Sequence, residues 1–312
     1  MTIRVGALLW PQTDSWPALR DAAIRADRAG LDSLWTWDHL MAIVGAWEKP
    51  ILEGWTTLAA LAVLTERPTL GLMVGANTFR NPGLTSKLAT TLDHLSGGRA
   101  VLGIGGAWFE REHDAFGFDE TWGSGFGERL DRLDESVMLL RRLLDGERIA
   151  EHSGRFYTMR DALVEPRPVQ ARLPILIGGS GPQKTLRTTA RYADAWNTSG
   201  SLEELRAKDA ILRERCEEVG RNHEEIERTM TVWMAIRDDP SEARQVLAAK
   251  AVANGDSLGD DDECFVGSPE KIAAELRPMV ELGFRHILAD MMAPYDPETL
   301  ERLVEVRALL GE

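Results

Sequence analysis

In "DSLWTWDHL", residues 32–40, an apolar run with the look of a buried strand ends on Asp38 and His39. A histidine titrates near neutral pH, and a carboxylate beside it can fix its tautomer and raise its proton affinity, so this pair could hand a proton to or from a substrate. Consecutive residues of a strand face opposite ways, so the two cooperate only where the backbone turns. The bland alternative is a strand-end histidine satisfied by a backbone carbonyl.

A second stretch, "LIGGSGPQKTLRTTARYADAWN", offers binding chemistry. An apolar strand runs into Gly178, Gly179, Ser180 and Gly181, and a helix is expected from about Pro182, a residue suited to the first helical position. Small residues let a ligand approach the backbone, and helix-start N–H groups favour an anion such as phosphate, with Lys184 adding charge. A plain chain-reversing turn is the other reading. Gln183 stands where a Walker A motif needs glycine, and Pro182 replaces the last glycine of a nucleophile elbow. "GIGGAW", 103–108, puts Trp108 at the third glycine of a dinucleotide fingerprint and has no helix close behind, so no Rossmann domain is expected. His113 and His223 have no partner at ligand spacing, and no metal site is expected.

The elements that would hold these residues alternate along the chain. Apolar strands are expected at 4–9, 33–37, 69–74, 100–103, 174–177 and 195–197, then in "TMTVWMAI" and "RHILAD". Helical periodicity falls between and after them at 16–29, 55–64, 82–94, 128–144, 182–192, 202–219, 241–253, 269–282 and 297–310. Eight strand–helix units in 312 residues imply a parallel, closed (β/α)8 TIM barrel forming a single domain over 1–312. Two insertions interrupt it, one at 145–172 after the fourth helix and one at 253–265 after the seventh strand. Asp260 to Glu263 in the latter read as a solvated acidic loop.

Composition limits the partners. The net charge of −14 argues against nucleic acid or an anionic membrane. Cys216 and Cys264 are far apart and form no CxxC, which suggests neither a disulfide framework nor zinc. No signal-like or membrane-length apolar run is present, so a cytoplasmic enzyme with a small-molecule substrate is expected. In a barrel of this kind the site lies at the C-terminal ends of the strands. There the sequence places Trp10 and Gln12, Asp38 and His39, Asn77, Thr78 and Arg80, Trp108 and Glu110, and Trp196 and Asn197. Tryptophans gathered at one end suit a pocket for a flat or apolar ligand, or else they pack under loops. Trp10, Trp47, Glu53 and Trp108, with the 253–265 loop, are the expected substrate pocket.

"TWDHL", "EGWTTLAALAVLTERPTLGLMVGANTFRNP", "ATTLDHLSGGRAVLGIGGAWFEREHDAFG", "SGRFY" and "ILIGGSGPQKTLRTTARYADAWN" together resemble the luciferase-like monooxygenase superfamily. The branch they most resemble is the F420-dependent oxidoreductases. The resemblance implies a barrel, often a homodimer, that binds coenzyme F420 or FMN at its C-terminal face. It implies that the cofactor phosphate lies near Gly178, Gly179, Ser180 and Gly181. A bulge at Val74, Gly75 and Ala76, with Asn77 next in sequence, would support the ring, often through a cis non-proline peptide. His39, with Asp38 beside it, would lie near the reactive carbon. Hydride transfer between C5 of F420 and a small organic substrate follows. An FMN-dependent two-component monooxygenase served by a separate reductase, and a non-catalytic flavin-binding paralogue, are the alternatives. Sugar-phosphate dehydrogenases of this branch carry a glutamate after the fourth strand. Trp108 occupies the matching position here, so glucose 6-phosphate oxidation is not expected.

Overall fold

The computed structural model describes residues 2–259 and 262–311. From the N-terminus come β1 (Arg4–Leu9), α1 (Trp16–Ala29), β2 (Ser33–Thr36), α2 (Gly54–Leu64), β3 (Thr69–Leu72), the short β4 (Gly75–Ala76), α3 (Pro82–Ser96) and β5 (Ala100–Gly105). They are followed by α4 (Glu110–Phe116), α5 (Asp119–Trp122), α6 (Phe126–Leu144), a hairpin of β6 (Ile149–Ser153) and β7 (Thr158–Ala162), then β8 (Ile175–Gly178) and α7 (Thr185–Tyr192). The chain ends with β9 (Ala195–Thr198), α8 (Leu202–Glu218), β10 (Glu227–Ile236), α9 (Pro240–Asn254), β11 (Cys264–Gly267), α10 (Pro269–Leu282), β12 (Phe284–Met291) and α11 (Pro297–Gly311).

The strands pair in the order β11, β10, β12, β1, β2, β3, β5, β8, β9, and β9 pairs back to β10. Eight parallel strands, β1, β2, β3, β5, β8, β9, β10 and β12, thereby close into a (β/α)8 barrel. Local chemistry sets many of the boundaries. Asn81, Asp239 and Ser268 cap α3, α9 and α10 through their side chains, each followed by a proline at the first helical position. Gly30, Gly97, Gly255 and Gly283 end α1, α3, α9 and α10 in the left-handed region that glycine reaches without strain.

The structure departs from the sequence pattern in four places. The third strand, expected to run to 74, stops at Leu72, the Met73–Val74 peptide that follows is cis, and pairing resumes as β4 against β5. The seventh helix begins at Thr185 rather than near Pro182. The 253–265 insertion carries an unforeseen strand, β11, parallel to β10. Residues 110–116 form the helix or turn expected after "GGAW", with Glu110 at its start, and 119–122 are helical where no helix was expected. The first insertion is a two-stranded antiparallel hairpin, in keeping with its strand-like sequence. Of the expected solvated stretch, Asp262 and Glu263 are exposed, while Asp260 and Asp261 lie outside the described residues. No helix among the described residues is long and apolar enough to cross a membrane.

Contacts group the chain into two compact units, one of residues 1–70, 197–207 and 227–312, the other of 71–196 and 208–226. The second unit buries Leu102, Ile104, Ile175 and Ile177 on its strands and Leu133, Val137 and Leu140 on α6. A satellite cluster of Leu139, Leu143, Ile149 and Val164 fastens the hairpin to α6.

The first unit buries a polar network at the N-terminal ends of its strands. Trp35 Nε1 donates to Ser33 Oγ at 2.8 Å, and the same hydroxyl hydrogen-bonds His286 Nε2 at 2.7 Å. His286 Nδ1 lies 3.5 Å from Glu227, and burial lowers the His286 pKa. Gly6 is required beside this network, since a Cβ there would stand 2.0 Å from Ser33 Oγ. Arg4 donates to both Glu227 oxygens, at 3.1 and 3.2 Å. Burial raises the Glu227 carboxyl, but His286 and Arg4 more than reverse this and hold it at about 2. A folded value below the unfolded one stabilises above the unfolded pKa and is lost as pH falls toward the folded one. Glu227→Gln should therefore lower the melting temperature by roughly 2–4 °C at pH 7, with the deficit narrowing below about pH 4.5. Thermal melts from pH 7 to pH 3 test this; a deficit that does not change with pH would show that the carboxylate's charge is not what stabilises.

Candidate active site

In the first unit, β2 ends one residue earlier than its apolar run and the chain leaves the sheet at Trp37. Asp38 is 3 % exposed and His39 half-buried, as two residues past a strand end can be. The His39 ring lies edge-on to Trp37 with centroids 6.2 Å apart, and Trp37 tilts against Trp10 at 4.5 Å. Trp10 Nε1 donates to the Asp290 carboxylate at the end of β12. Its backbone is fixed on both sides, with its N–H donating to Met291 O and its carbonyl accepting from Tyr295 Oη at 2.6 Å. A continuous row thus runs from His39 through two indoles to Asp290. Burial pushes the Asp290 carboxyl up to about 7, against the pull of hydrogen bonds from Trp10 and Trp233.

The loop after β2 is pinned by Gln12, which is fully buried, donates to Val44 O at 3.1 Å and accepts from Ile43 N at 2.9 Å. Trp47, farther along this loop, is 42 % exposed. Glu53 accepts from Trp55 N and Thr56 N as the N-cap of α2, so helix capping already accounts for its carboxylate.

In the second unit, the geometry centres on the cis Met73–Val74 peptide. A Cβ on Gly105 would lie 2.7 Å from Val74 Cγ2, and one on Gly178 would lie 2.8 and 2.9 Å from the two Val74 methyls. A Cβ on Gly103 would strike Leu72 O at 1.9 Å. Glycine at all three positions lets β5 and β8 accept the bulge. Gly75 and Ala76 then pair with Ile104 and Gly105, and Asn77 N donates to Gly105 O at 3.1 Å.

Asn77 is 3 % exposed, and its Nδ2 donates to Tyr157 Oη at 3.3 Å. Its Oδ1 is buried and reaches no donor. Tyr157 comes from the hairpin insertion, whose turn is clamped by Glu135 on α6. That carboxylate accepts from the backbone N–H groups of Arg155, Phe156 and Tyr157 at 3.0–3.1 Å. Thr78 is held by His113, whose Nδ1 faces Phe109 O at 2.9 Å and must donate, leaving Nε2 to accept from Thr78 Oγ1 at 2.6 Å. Burial lowers the His113 pKa in keeping with this neutral form, and Phe79 stacks on its ring. His113 is therefore a core histidine.

Other strand-end residues fall where packing or solvent puts them. Trp196 is fully buried, with Nε1 donating to Gly179 O at 2.8 Å. Asn197 Nδ2 donates to Thr229 Oγ1 at 2.9 Å in the interior of the first unit. Trp108 is 60 % exposed and follows Ala107, a non-glycine residue at φ +60°. Glu110 opens α4 and accepts from Trp122 Nε1 at 2.9 Å. The Gly179–Gly181 turn is open to solvent on the Gly179 side, but Lys184 is already bound to Asp131 at 2.6 Å and to Gly127 O. An anion at that turn would rest on backbone N–H groups, without the lysine expected to help. Sequence reasoning missed Asp290, Tyr157 and Glu135. For Asp290 a signal existed: "RHILAD" closes an apolar strand on a carboxylate, as the run before Asp38 does.

The luciferase-like monooxygenase family model matches residues 1–260, and the chain belongs to that family. It is 34 % identical over 283 residues to an F420-dependent glucose-6-phosphate dehydrogenase of Mycolicibacterium fortuitum, covering 87 % of this chain and 80 % of that one. It is 29 % identical over 307 residues to an enzyme of the same name from Intrasporangium calvum, covering 90 % of each. A solved F420-dependent secondary alcohol dehydrogenase, in complex with an F420-acetone adduct, superposes with a TM-score of 0.84 at 19 % identity over the whole of both chains.

The contact between Val74 and Gly178 can be tested directly. Gly178→Ala should destabilise by about 1–3 kcal/mol through overpacking, and Val74→Ala in the same chain should recover part of that loss. Urea unfolding of the two single variants and the double variant provides the cycle; strictly additive effects would show that the two side chains do not compete for one space.

Proposed function

We propose that the chain is a coenzyme F420-dependent oxidoreductase that moves a hydride between C5 of the deazaflavin and a small organic substrate, with residues 1–312 acting as one luciferase-like domain. The observation that carries the assignment is the buried, donor-less Asn77 Oδ1 beside the β4 bulge. An unmade hydrogen bond at a buried carbonyl costs roughly 1–3 kcal/mol, and a heterocycle with a ring N–H would satisfy it. The glycine-backed bulge fits a flat ring system, and the Gly178, Gly179, Ser180 and Gly181 turn fits its phosphate through backbone N–H groups. Val74, Gly75 and Ala76 support the ring in this reading.

Bound F420 supplies a two-electron hydride carrier with carbon in place of the flavin N5, which favours hydride transfer over reaction with oxygen. His39 gives or takes the balancing proton, since a half-buried imidazole just past a strand end is reachable by a ligand. Asp38 sets the orientation of that imidazole. Trp37 and Trp10 wall the row behind it and exclude water. Trp47 and Trp108, both exposed, flank the ligand in this reading, and Glu53 contributes through the helix it caps. A homodimer in the cytoplasm completes this reading; a separate reductase enters only if the cofactor is FMN.

Two measurements test the assignment. Titration of the protein with F420 and with FMN, followed by tryptophan quenching, should give saturable binding of F420 and none of FMN. FMN binding alone would replace the proposal with a two-component oxygenase, and F420 binding without turnover of any alcohol, carbonyl or imine would leave a cofactor-binding paralogue. His39→Ala should then keep F420 affinity within a few-fold and lower turnover by about 10²–10⁴-fold; undiminished turnover would remove His39 from proton transfer.

A further inference from the structure

The row that begins at His39 ends at a cavity. Within the first unit, a space of about 340 Å³ opens beside Thr231, Trp233 and Phe265, and three carboxylates, Asp262, Glu263 and Asp290, line it. Ser199 and Gly200 complete the wall just past the end of β9. The volume suits a small organic group. No lysine or arginine is among its lining residues. On the adjoining helix α9, Arg244 bonds Cys264 Sγ and Gly259 O.

Asp290 differs from the two loop carboxylates. Asp262 and Glu263 are exposed, so solvent and salt screen them. Asp290 sits between two indole donors, Trp10 on the β1 side and Trp233 on the β10 side. They orient its oxygens without neutralising its charge. On its other flank a space too small for a ligand is shared with Lys250 and Asp296. Lys250 donates to Pro294 O, and Asp296 pairs with Arg237 at 2.9 Å. Neither lines the larger cavity, so Asp290 faces it as a carboxylate without a counter-cation.

We propose that this cavity is a specificity pocket that takes a cationic nitrogen of the substrate on Asp290, so that the enzyme acts on an amine-bearing compound rather than a phosphorylated sugar; the proposal rests on the oxidoreductase reading above. A dianionic phosphate would meet three carboxylates and no cation. An ammonium group supplies the charge that Asp290 lacks, hydrogen-bonds Thr231 Oγ1, and lies among aromatic side chains that favour a cation. Because burial holds the Asp290 carboxyl near 7, cation binding should strengthen as pH rises through that value.

The probes are butylammonium, butanol and butyl phosphate, matched in chain length, titrated into the protein with and without F420, with tryptophan fluorescence and calorimetry as readouts. At pH 8 butylammonium should bind about ten-fold or more tighter than butanol, butyl phosphate should show no saturation, and the ammonium advantage should shrink several-fold by pH 6. Asp290→Asn should abolish both the preference and its pH dependence while F420 affinity is retained. Should that variant fail to fold by circular dichroism, the Asp262→Asn/Glu263→Gln double variant serves instead: it should reduce the preference only about two-fold and leave the pH dependence in place. Butyl phosphate binding as tightly as butylammonium, or an ammonium preference that survives Asp290→Asn or does not change with pH, overturns the proposal. F420 is titrated separately into the protein without probes. Loss of F420 binding with the ammonium preference intact would sink the oxidoreductase reading alone, and F420 binding without the preference would sink the pocket alone.

Discussion

The arrangement of the second unit's strand ends depends on one close contact. The Val74 side chain occupies space that exists only because residues 105 and 178 lack a Cβ, and the preceding turn of chain fits only because residue 103 lacks one too. A packed interior has no slack for even one methyl group, so any side chain at these positions would displace Val74 or the strand beside it. The register of β4 on β5 and the placement of Asn77 follow from where Val74 comes to rest. Two layers then lock the result. Tyr157 reaches Asn77 from a hairpin clamped by Glu135, and His113 holds Thr78 through a neutral ring. The hairpin insertion is thus part of the apparatus that positions Asn77, although it lies outside the barrel's own repeat.

The first unit handles charge by a different logic. At the N-terminal ends of its strands, Glu227 is neutralised by Arg4 at hydrogen-bonding distance, and the buried network is satisfied on almost every atom. At the C-terminal ends, Asp290 has hydrogen bonds and no cation. Both carboxylates are partly buried, yet one is driven toward ionisation and the other toward protonation. The difference lies in the partner: an indole N–H lowers the energy of a carboxylate by a hydrogen bond, while a guanidinium adds a full opposite charge. A polar network that is complete stabilises a fold. One that is left short of a charge can take that charge from a ligand.

Much of this was legible in the sequence. Strand–helix alternation alone led to the eight-stranded barrel, because period and punctuation agree: Asn81-Pro82, Asp239-Pro240 and Ser268-Pro269 mark helix starts by a mechanism that needs no tertiary context. The family and its F420 branch were legible too, from motifs spread over the chain. Less legible was what individual small residues are for. Gly103, Gly105 and Gly178 belong to runs that resemble phosphate-binding loops, and close backbone approach is indeed what they permit. The approaching group is Val74 and its own chain, a fact that needs the fold to be known. Lys184 looked free for an anion because its partner, Asp131, lies 53 positions earlier on another helix. Glu53 and Trp196 looked like pocket residues for the same reason: a helix cap and a buried indole are decided by neighbours that periodicity does not reveal.

Membership of a family narrows the fold and the cofactor more than the substrate, because a barrel keeps its scaffold in the strands and its selectivity in the residues that follow them. Two such residues differ in kind from what a sugar phosphate would require. Trp108, after β5, brings an exposed indole where the resemblance implies an acid. Asp290, at the end of β12, brings a negative charge to a cavity without a cation. Neither residue touches the Val74 contact, which is built from Gly103, Gly105 and Gly178 in the second unit. A like charge beside a buried carboxylate is repelled as an opposite one is attracted, so a single buried residue can set the charge preference of a pocket. In a barrel of this kind a new substrate can therefore be taken without new chemistry, through charged residues at the strand ends.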